Sequence, residues 1–223
     1  MRKDIVLIII LALVGCSNHT PQHLKALVNE QNNRYKEEKN KYFVPQEIFT
    51  HFPDNITESF PVGLTVSLED QRNAYRYFFL ICLNNNKKFF DKNEDIAKKK
   101  TKESLTAKDT ANYFVVPRIP YYSIKQAFLD KIPIPDFRLG KSLVFDSLAD
   151  SLALNLYFSD SFPCGLTEDY EIYVIDTQNE YKTFTAEYQD VFFSLPRTKN
   201  TGFSRGICIN RKRNVLIFWT IIF

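Results

Sequence analysis

Histidine, methionine, tryptophan and glycine are scarce in this 223-residue chain, at three, one, one and six residues, and the shortage of histidine and glycine removes whole classes of chemistry. The histidines are His19, His23 and His51, which leaves no His-Glu-x-x-His pair and little from which to build a zinc or acid–base site. The glycines form no Gly-x-x-x-x-Gly-Lys phosphate loop, and no Ser-x-x-Lys with its companions is present. We expect no nucleophile elbow of the Gly-x-Ser-x-Gly kind. The four cysteines include no Cys-x-x-Cys spacing, which argues against structural zinc and against dithiol redox work. Basic and acidic residues nearly balance, 29 against 26, so the chain lacks the positive excess of a nucleic-acid protein. No cofactor and no metal is expected. Finally, no apolar run reaches the ~20 residues that a transmembrane helix needs.

One short apolar run is informative. Ile5 to Val14 follows Arg2 and Lys3 and would span roughly 15 Å as a helix, half the ~30 Å hydrocarbon layer. A basic start, an apolar stretch of this length and a small residue before a cut are the parts of a secretory signal, with Asp4 a mild irregularity. The run ends in Leu13-Val14-Gly15-Cys16, and polar Ser17-Asn18 follow at once. This N-terminus resembles that of bacterial lipoprotein precursors, in which a cysteine after a small residue and two apolar ones forms a lipobox. The resemblance covers Met1 to Ser17. It implies cleavage between Gly15 and Cys16, diacylation of the Cys16 sulfur, and export across the inner membrane. Two or three acyl chains, at ~0.8 kcal/mol per buried CH₂, anchor a protein stably where one chain is marginal. Ser17 differs from the aspartate that retains such proteins in the inner membrane of enteric bacteria, so the outer membrane is the favoured site.

Residues 1–15 are accordingly read as a lipoprotein signal peptide, 16–42 as a lipidated tether and helix, and 43–223 as the folded body. Losing Arg2, Lys3 and Asp4 lowers the formal charge from +3 to +2. Aromatic residues make up 15% of the chain, with 20 Phe and 12 Tyr, which suits a packed core of strands more simply than a ligand-stacking surface. Once Cys16 is acylated, Cys82, Cys164 and Cys208 remain, so at most one intramolecular disulfide is available. Each sits in apolar company, and buried thiols are the simpler reading.

His23 to Lys41 carries Leu24, Leu27, Val28 and Tyr35 near helical spacing and reads as a helical stalk, with Thr20-Pro21 as its start and Pro45 beyond its end. It would lift the body from the bilayer or pack its apolar stripe on that body. Val62, Leu64, Val66 and Leu68 alternate as in a half-buried strand, while Tyr75 to Leu83 is nearly continuous, as in a strand covered on both faces. A hairpin joins them. The lysine-rich segment from Lys87 to Lys102 reads as a loop or surface helix, with attraction to anionic lipid headgroups as its functional alternative. Tyr113 to Val116 is a short strand and Pro133-Ile134-Pro135 must be extended or turning. A boundary between two sub-domains would fall near 117–140. Gly206 to Asn210 and Asn214 to Phe223 form a terminal hairpin with the basic tip Arg211-Lys212-Arg213. Its last strand has almost no polar side and belongs in mid-sheet. The same lack of alternation argues against an outer-membrane barrel strand. The expected fold class is α+β: a helical stalk, then a mainly antiparallel sheet body with a hydrophobic C-terminal hairpin.

Ser161-Phe162-Pro163-Cys164-Gly165-Leu166-Thr167 repeats Ser59-Phe60-Pro61-Val62-Gly63-Leu64-Thr65 at six of seven positions. Either the body is duplicated or both copies share a turn-into-strand grammar. Carboxylate pairs occur at Asp146 with Asp150 and at Glu168-Asp169 with Glu171, where solvated surface roles are simpler than acid and base catalysis. Asp91-Lys92-Asn93-Glu94-Asp95 begins like a calcium loop but lacks the glycine and glutamate that complete one. Asn55-Ile56-Thr57 is a glycosylation sequon without meaning behind a bacterial lipobox. The tail from Leu195 through Gly202-Phe203-Ser204-Arg205-Gly206 is similar to the ends of small uncharacterised bacterial lipoproteins. The expected function is a membrane-anchored binding or structural module of the cell envelope, without catalytic activity, that contacts an envelope protein or glycan and no nucleic acid. The alternatives are an envelope hydrolase using carboxylates, or an immunity-type inhibitor lipoprotein.

Overall fold

The computed structural model describes residues 22–42, 46–56, 60–62, 76–83, 85–116, 131–138, 158–179 and 202–223. Its centre is the C-terminal hairpin. β7 (Phe203–Asn210) and β8 (Val215–Ile222) pair antiparallel from Phe203 with Ile222 to Asn210 with Val215. The turn between them closes with Asn214 at φ 55°, a left-handed conformation that asparagine tolerates, and the Arg213 amide donates to Asn210 Oδ1 at 3.0 Å.

β2 (Arg76–Leu83) adds to the free side of β8, and β6 (Glu171–Gln178) to the free side of β7. β1 (Phe60–Val62) and β3 (Glu103–Thr106) form the edges, so the six-stranded order is β1-β2-β8-β7-β6-β3, antiparallel at every step. This is the expected antiparallel body. β8 lies inside the sheet, and all of its residues are buried. Val215, Ile217, Trp219 and Ile221 enter one core, and Leu216, Phe218 and Ile222 the other. A strand covered on both faces needs apolar residues at both parities, at about 2 kcal/mol for each large side chain buried, and that is why its sequence is nearly unbroken.

Helices cover the second of these cores. They are α1 (Gln22–Tyr42), a 3₁₀ turn at Gln46–Phe49, and α2 (Lys87–Lys100). α2 is the surface-helix form of the lysine-rich segment. Asn86 caps it by accepting from the Phe89 amide at 2.8 Å, and Lys98, Lys99 and Lys100 occupy its last turn, where the helix dipole favours cations. α1 docks through its second half. Tyr35 donates from its buried hydroxyl to the Pro53 carbonyl at 2.7 Å, and Asn32 Oδ1 accepts from the Ile56 amide at 3.0 Å.

The opposite face is closed by β4 (Tyr113–Val116) and β5 (Ile132–Pro135), a parallel pair, together with the turns from Phe158 to Tyr170. β5 is the extended Pro-Ile-Pro segment, and its two prolines lack the amide a second neighbour would need. Residues on both sides of 117–140 share this core. The repeated peptide takes two forms. Phe60-Pro61-Val62 is a strand paired with β2, whereas Phe162 to Gly165 is a turn in which Gly165, at φ 81°, donates from its amide to the Phe162 carbonyl at 3.0 Å. The alternation from Leu64 to Leu68, Tyr122 to Leu129, and most of Ser142 to Phe158 lie outside the described residues.

Candidate functional site

Gly15 and Cys16, the residues that carry the strongest chemical expectation, lie outside the described residues, as do Asp146 and Asp150. The other carboxylates singled out in the sequence are committed to ion pairs. Glu168 meets Lys108 at 2.6 Å and Asp169 meets Lys212 at 3.7 Å. Glu171 is bonded to both Arg211 and the Tyr173 hydroxyl. Arg211 also holds Glu94 at 2.5 Å, so one guanidinium ties the hairpin tip to α2 and to β6. It holds the Glu171 carboxyl below its ordinary pKa. For Glu94 burial works against ionisation, and Lys98 and Arg211 outweigh it, so its pKa is also lowered. Carboxylates held ionised by guanidinium are poor general acids at neutral pH. Asp91 to Asp95 lies within α2, so its oxygens spread around a helix and do not line a loop. Among the described residues no group of three or more His, Cys, Asp or Glu could hold a metal ion.

The expectation of no Gly-x-Ser-x-Gly spacing needs correction, because Gly202-Phe203-Ser204-Arg205-Gly206 has it. Its backbone is not an elbow. An elbow places the serine on a sharp strand-to-helix turn with an exposed hydroxyl. Here Phe203 to Gly206 run along β7, Gly202 extends the ladder through two hydrogen bonds with Phe223 at 2.7 and 3.0 Å, and Ser204 is fully buried. The second glycine has a different reason. A Cβ at Gly206 would lie 2.6 Å from Trp219 Cζ2 and nearer still to the Tyr173 carbonyl, so only glycine lets β6, β7 and the Trp219 ring approach this closely.

A polar site lies under the 3₁₀ turn. A shallow cleft of about 350 Å³ opens between α1 and that turn, rimmed by Lys39, Asn40, Gln46, Thr50 and Asp54 with Phe49 and Phe52 beneath. Behind it Arg205 reaches across from β7. It donates to the Glu47 carbonyl at 2.5 Å and to Thr50 Oγ1 at 3.2 Å, and stands 3.6 Å from Asp176, which Lys102 also contacts. His51 is buried beside this group with Nε2 3.0 Å from the Trp219 carbonyl, so Nε2 carries the proton and donates, and Nδ1 has no partner. Burial drives its pKa down to about 3; the hydrogen bond to Trp219 opposes this, and the charges of Arg205, Lys100 and Lys39 add to the fall.

Chemically this arrangement is a clasp. A base with a pKa near 3 is too weak to take a proton at neutral pH, and at 3% exposure His51 is closed to substrate. It also faces the helical side of the sheet, whereas Ser204, two residues from Gly206 along β7 and opposite Ile221, faces the other side. The sheet therefore separates the two groups that a serine hydrolase would join. Lys39 is equally committed. Its ammonium donates to the carbonyls of Phe52 and Pro53, at 3.4 and 3.2 Å, and to Asp54 at 2.9 Å, and holds the Asp54 carboxyl below its usual value. Compared with known proteins, the chain matches no family model, no curated protein and no solved structure.

Proposed function

We infer that this chain is a membrane-anchored lipoprotein of the bacterial cell envelope, whose body is a binding or structural module for an envelope protein or glycan. The observation that carries the reading is Leu13-Val14-Gly15-Cys16 at the end of a short apolar run behind Arg2 and Lys3. Signal peptidase cuts before Cys16, the sulfur is diacylated, and the outer membrane is the favoured destination. Two features of the body support a non-catalytic role. Among the described residues the acidic groups of the terminal half pair with basic ones, and the described histidine side chain is sealed behind the 3₁₀ turn. Among the described residues no helix is long and apolar enough to cross a membrane, so the acyl chains supply the attachment in this reading. α1, docked on the body through Tyr35 and Asn32, then leads the chain from the anchor into the sheet body.

The test is intact mass with membrane fractionation in a bacterial host. A membrane-bound species with the mass of Cys16 to Phe223 plus acyl chains is the expected result, and Cys16→Ala should abolish both the acylation and the membrane retention. An acylated, membrane-retained Cys16→Ala protein would overturn the reading.

A further inference from the structure

The helical face carries positive charge that the fold does not use. On α2 the lysines divide into two rows. Lys87 and Lys98 are ion-paired, to Asp91 at 2.8 Å and to Glu94 at 2.6 Å, on the flank that Arg211 ties down. Lys88, Lys92 and Lys99 fall on the other flank, within about 40° of one another at 100° per residue. All three are exposed and none is in an ion pair, and Lys100 at the end of the helix is likewise exposed and unpaired. On α1, Lys36 is exposed and unpaired too. α1 and α2 cover the same face of the sheet, Tyr35 sharing one core with Phe89, Phe90 and Ala97, and Lys36 and Lys92 add to the pull that Lys39 exerts on the Asp54 carboxyl. Asp95 shares the α2 row. Glu30 and Glu37 lie about 100° or more around α1 from Lys36.

The second observation is the reach of the chain. Five residues, 17–21, separate Cys16 from Gln22, where α1 begins, and the six Cα-to-Cα steps between them span at most ~20 Å. α1 is docked on the body through Tyr35 and Asn32 in the same layer as α2. An anchor at Cys16 therefore brings the helical layer, and not the β4–β5 layer, towards the bilayer.

We propose that the face bearing Lys36, Lys88, Lys92, Lys99 and Lys100 is a docking surface for the anionic phospholipid headgroups of the membrane in which the chain is anchored. The orientation rests on the lipoprotein reading; the charge pattern does not. Lipid attachment holds the protein at the membrane, and the lysines set which side of it faces the headgroups. Each lysine at such a surface contributes about fivefold to partitioning at low salt, and screening reduces this within a Debye length.

The test uses the full chain carrying Cys16→Ser, which takes no acyl group, and vesicles of phosphatidylcholine with or without ~30% phosphatidylglycerol. It is compared with the same chain in which Lys36, Lys88, Lys92, Lys99 and Lys100 are all changed to Gln. The apolar run, Arg2 and Lys3 are common to both and cancel in the comparison. On anionic vesicles in ~0.1 M salt the parent should partition at least about tenfold more strongly, and the gap should close near ~0.5 M salt and be absent on neutral vesicles. A Lys88→Gln, Lys92→Gln pair, expected to lose about fivefold or more, serves where the larger variant fails to fold. Equal partitioning of parent and variants, or a loss per residue as large from Lys108→Gln with Lys131→Gln on the opposite layer, would overturn the proposal. Either result leaves acylation of Cys16 untouched, and an unacylated wild type leaves this result standing.

Discussion

Acidification should weaken the fold through His51 before any carboxylate contributes. In the unfolded chain this imidazole takes up a proton near its ordinary pKa of 6.5, whereas in the folded protein burial lowers the value to about 3. A depressed folded pKa means that the stability is fully present above pH 6.5 and is lost as the pH falls towards 3, because only the unfolded chain binds the proton in that window. Between pH 7.5 and pH 5 the loss comes to about 2 kcal/mol. The described acids with lowered values, Asp54, Glu94, Glu168 and Glu171, contribute their losses chiefly below their unfolded pKa of about 4 to 4.5, so among the described groups the interval from 7.5 to 5 belongs to the imidazole. Urea unfolding followed by the fluorescence of the single tryptophan, Trp219, fully buried beside Phe137, gives the free energy at each pH. His51→Gln keeps a donor for the Trp219 carbonyl but takes up no proton. Its stability should be about 1 kcal/mol lower at pH 7.5, from imperfect packing against Phe52, and nearly flat down to pH 5. Parallel pH profiles for the two proteins would refute the argument, since the imidazole would then titrate alike in both states.

Two further outcomes follow from contacts in the sheet. Gly206→Ala should cost about 3 kcal/mol or more in the same urea assay, because the new methyl meets the Tyr173 backbone carbonyl, which cannot move without breaking the β6–β7 ladder; a loss under about 1 kcal/mol would show that the close approach is soft. Arg211→Gln should cost about 1 kcal/mol at pH 7, as suits a partly exposed network, and this cost should shrink as the pH falls through the unfolded carboxylate pKa, since Glu94 and Glu171 then no longer gain from the guanidinium; a cost that is unchanged at pH 3.5 would assign it to packing.

The sequence was most legible where a residue's environment is set by its own strand or helix. Val215 to Phe223 announces a strand covered on both faces because neither parity is polar, whereas Lys87 to Lys102 left a loop and a surface helix both open, and the structure forms a helix at Lys87–Lys100 that buries Phe89, Phe90, Asn93 and Ala97. Legibility fails where contacts come from far along the chain. Nothing near Gly206 says that Tyr173 and Trp219 will crowd it, and nothing near His51 says that it will bond to a carbonyl 168 residues away. A signal for His51 did exist, in the apolar company of Ile48, Phe49 and Phe52, which marks a buried imidazole. The Gly-x-Ser-x-Gly letters in β7 show the opposite error: the spacing is present, but the β-ladder around Ser204 leaves no turn in which an elbow could form. The repeated peptide makes the same point, since Phe60-Pro61-Val62 finds β2 as a partner and extends, while Phe162-Pro163-Cys164 bends over Gly165.

The sheet also decides which of Cys82, Cys164 and Cys208 could pair. Cys82 faces the helical core, against Tyr35, whereas Cys164 and Cys208 lie in the core under β4 and β5, so two layers of packed side chains and a sheet separate the first thiol from the other two. Of the three pairings that the sequence allowed, two are therefore closed by topology. The remaining pair stays as free thiols. Burial pushes the pKa of Cys164 up and that of Cys208 well up, and each proton retained on sulfur removes the thiolate that disulfide exchange requires. Here burial keeps all three described sulfurs out of reach, and it holds the proton on those of Cys164 and Cys208, so the three thiols sit in the two cores without a bridge.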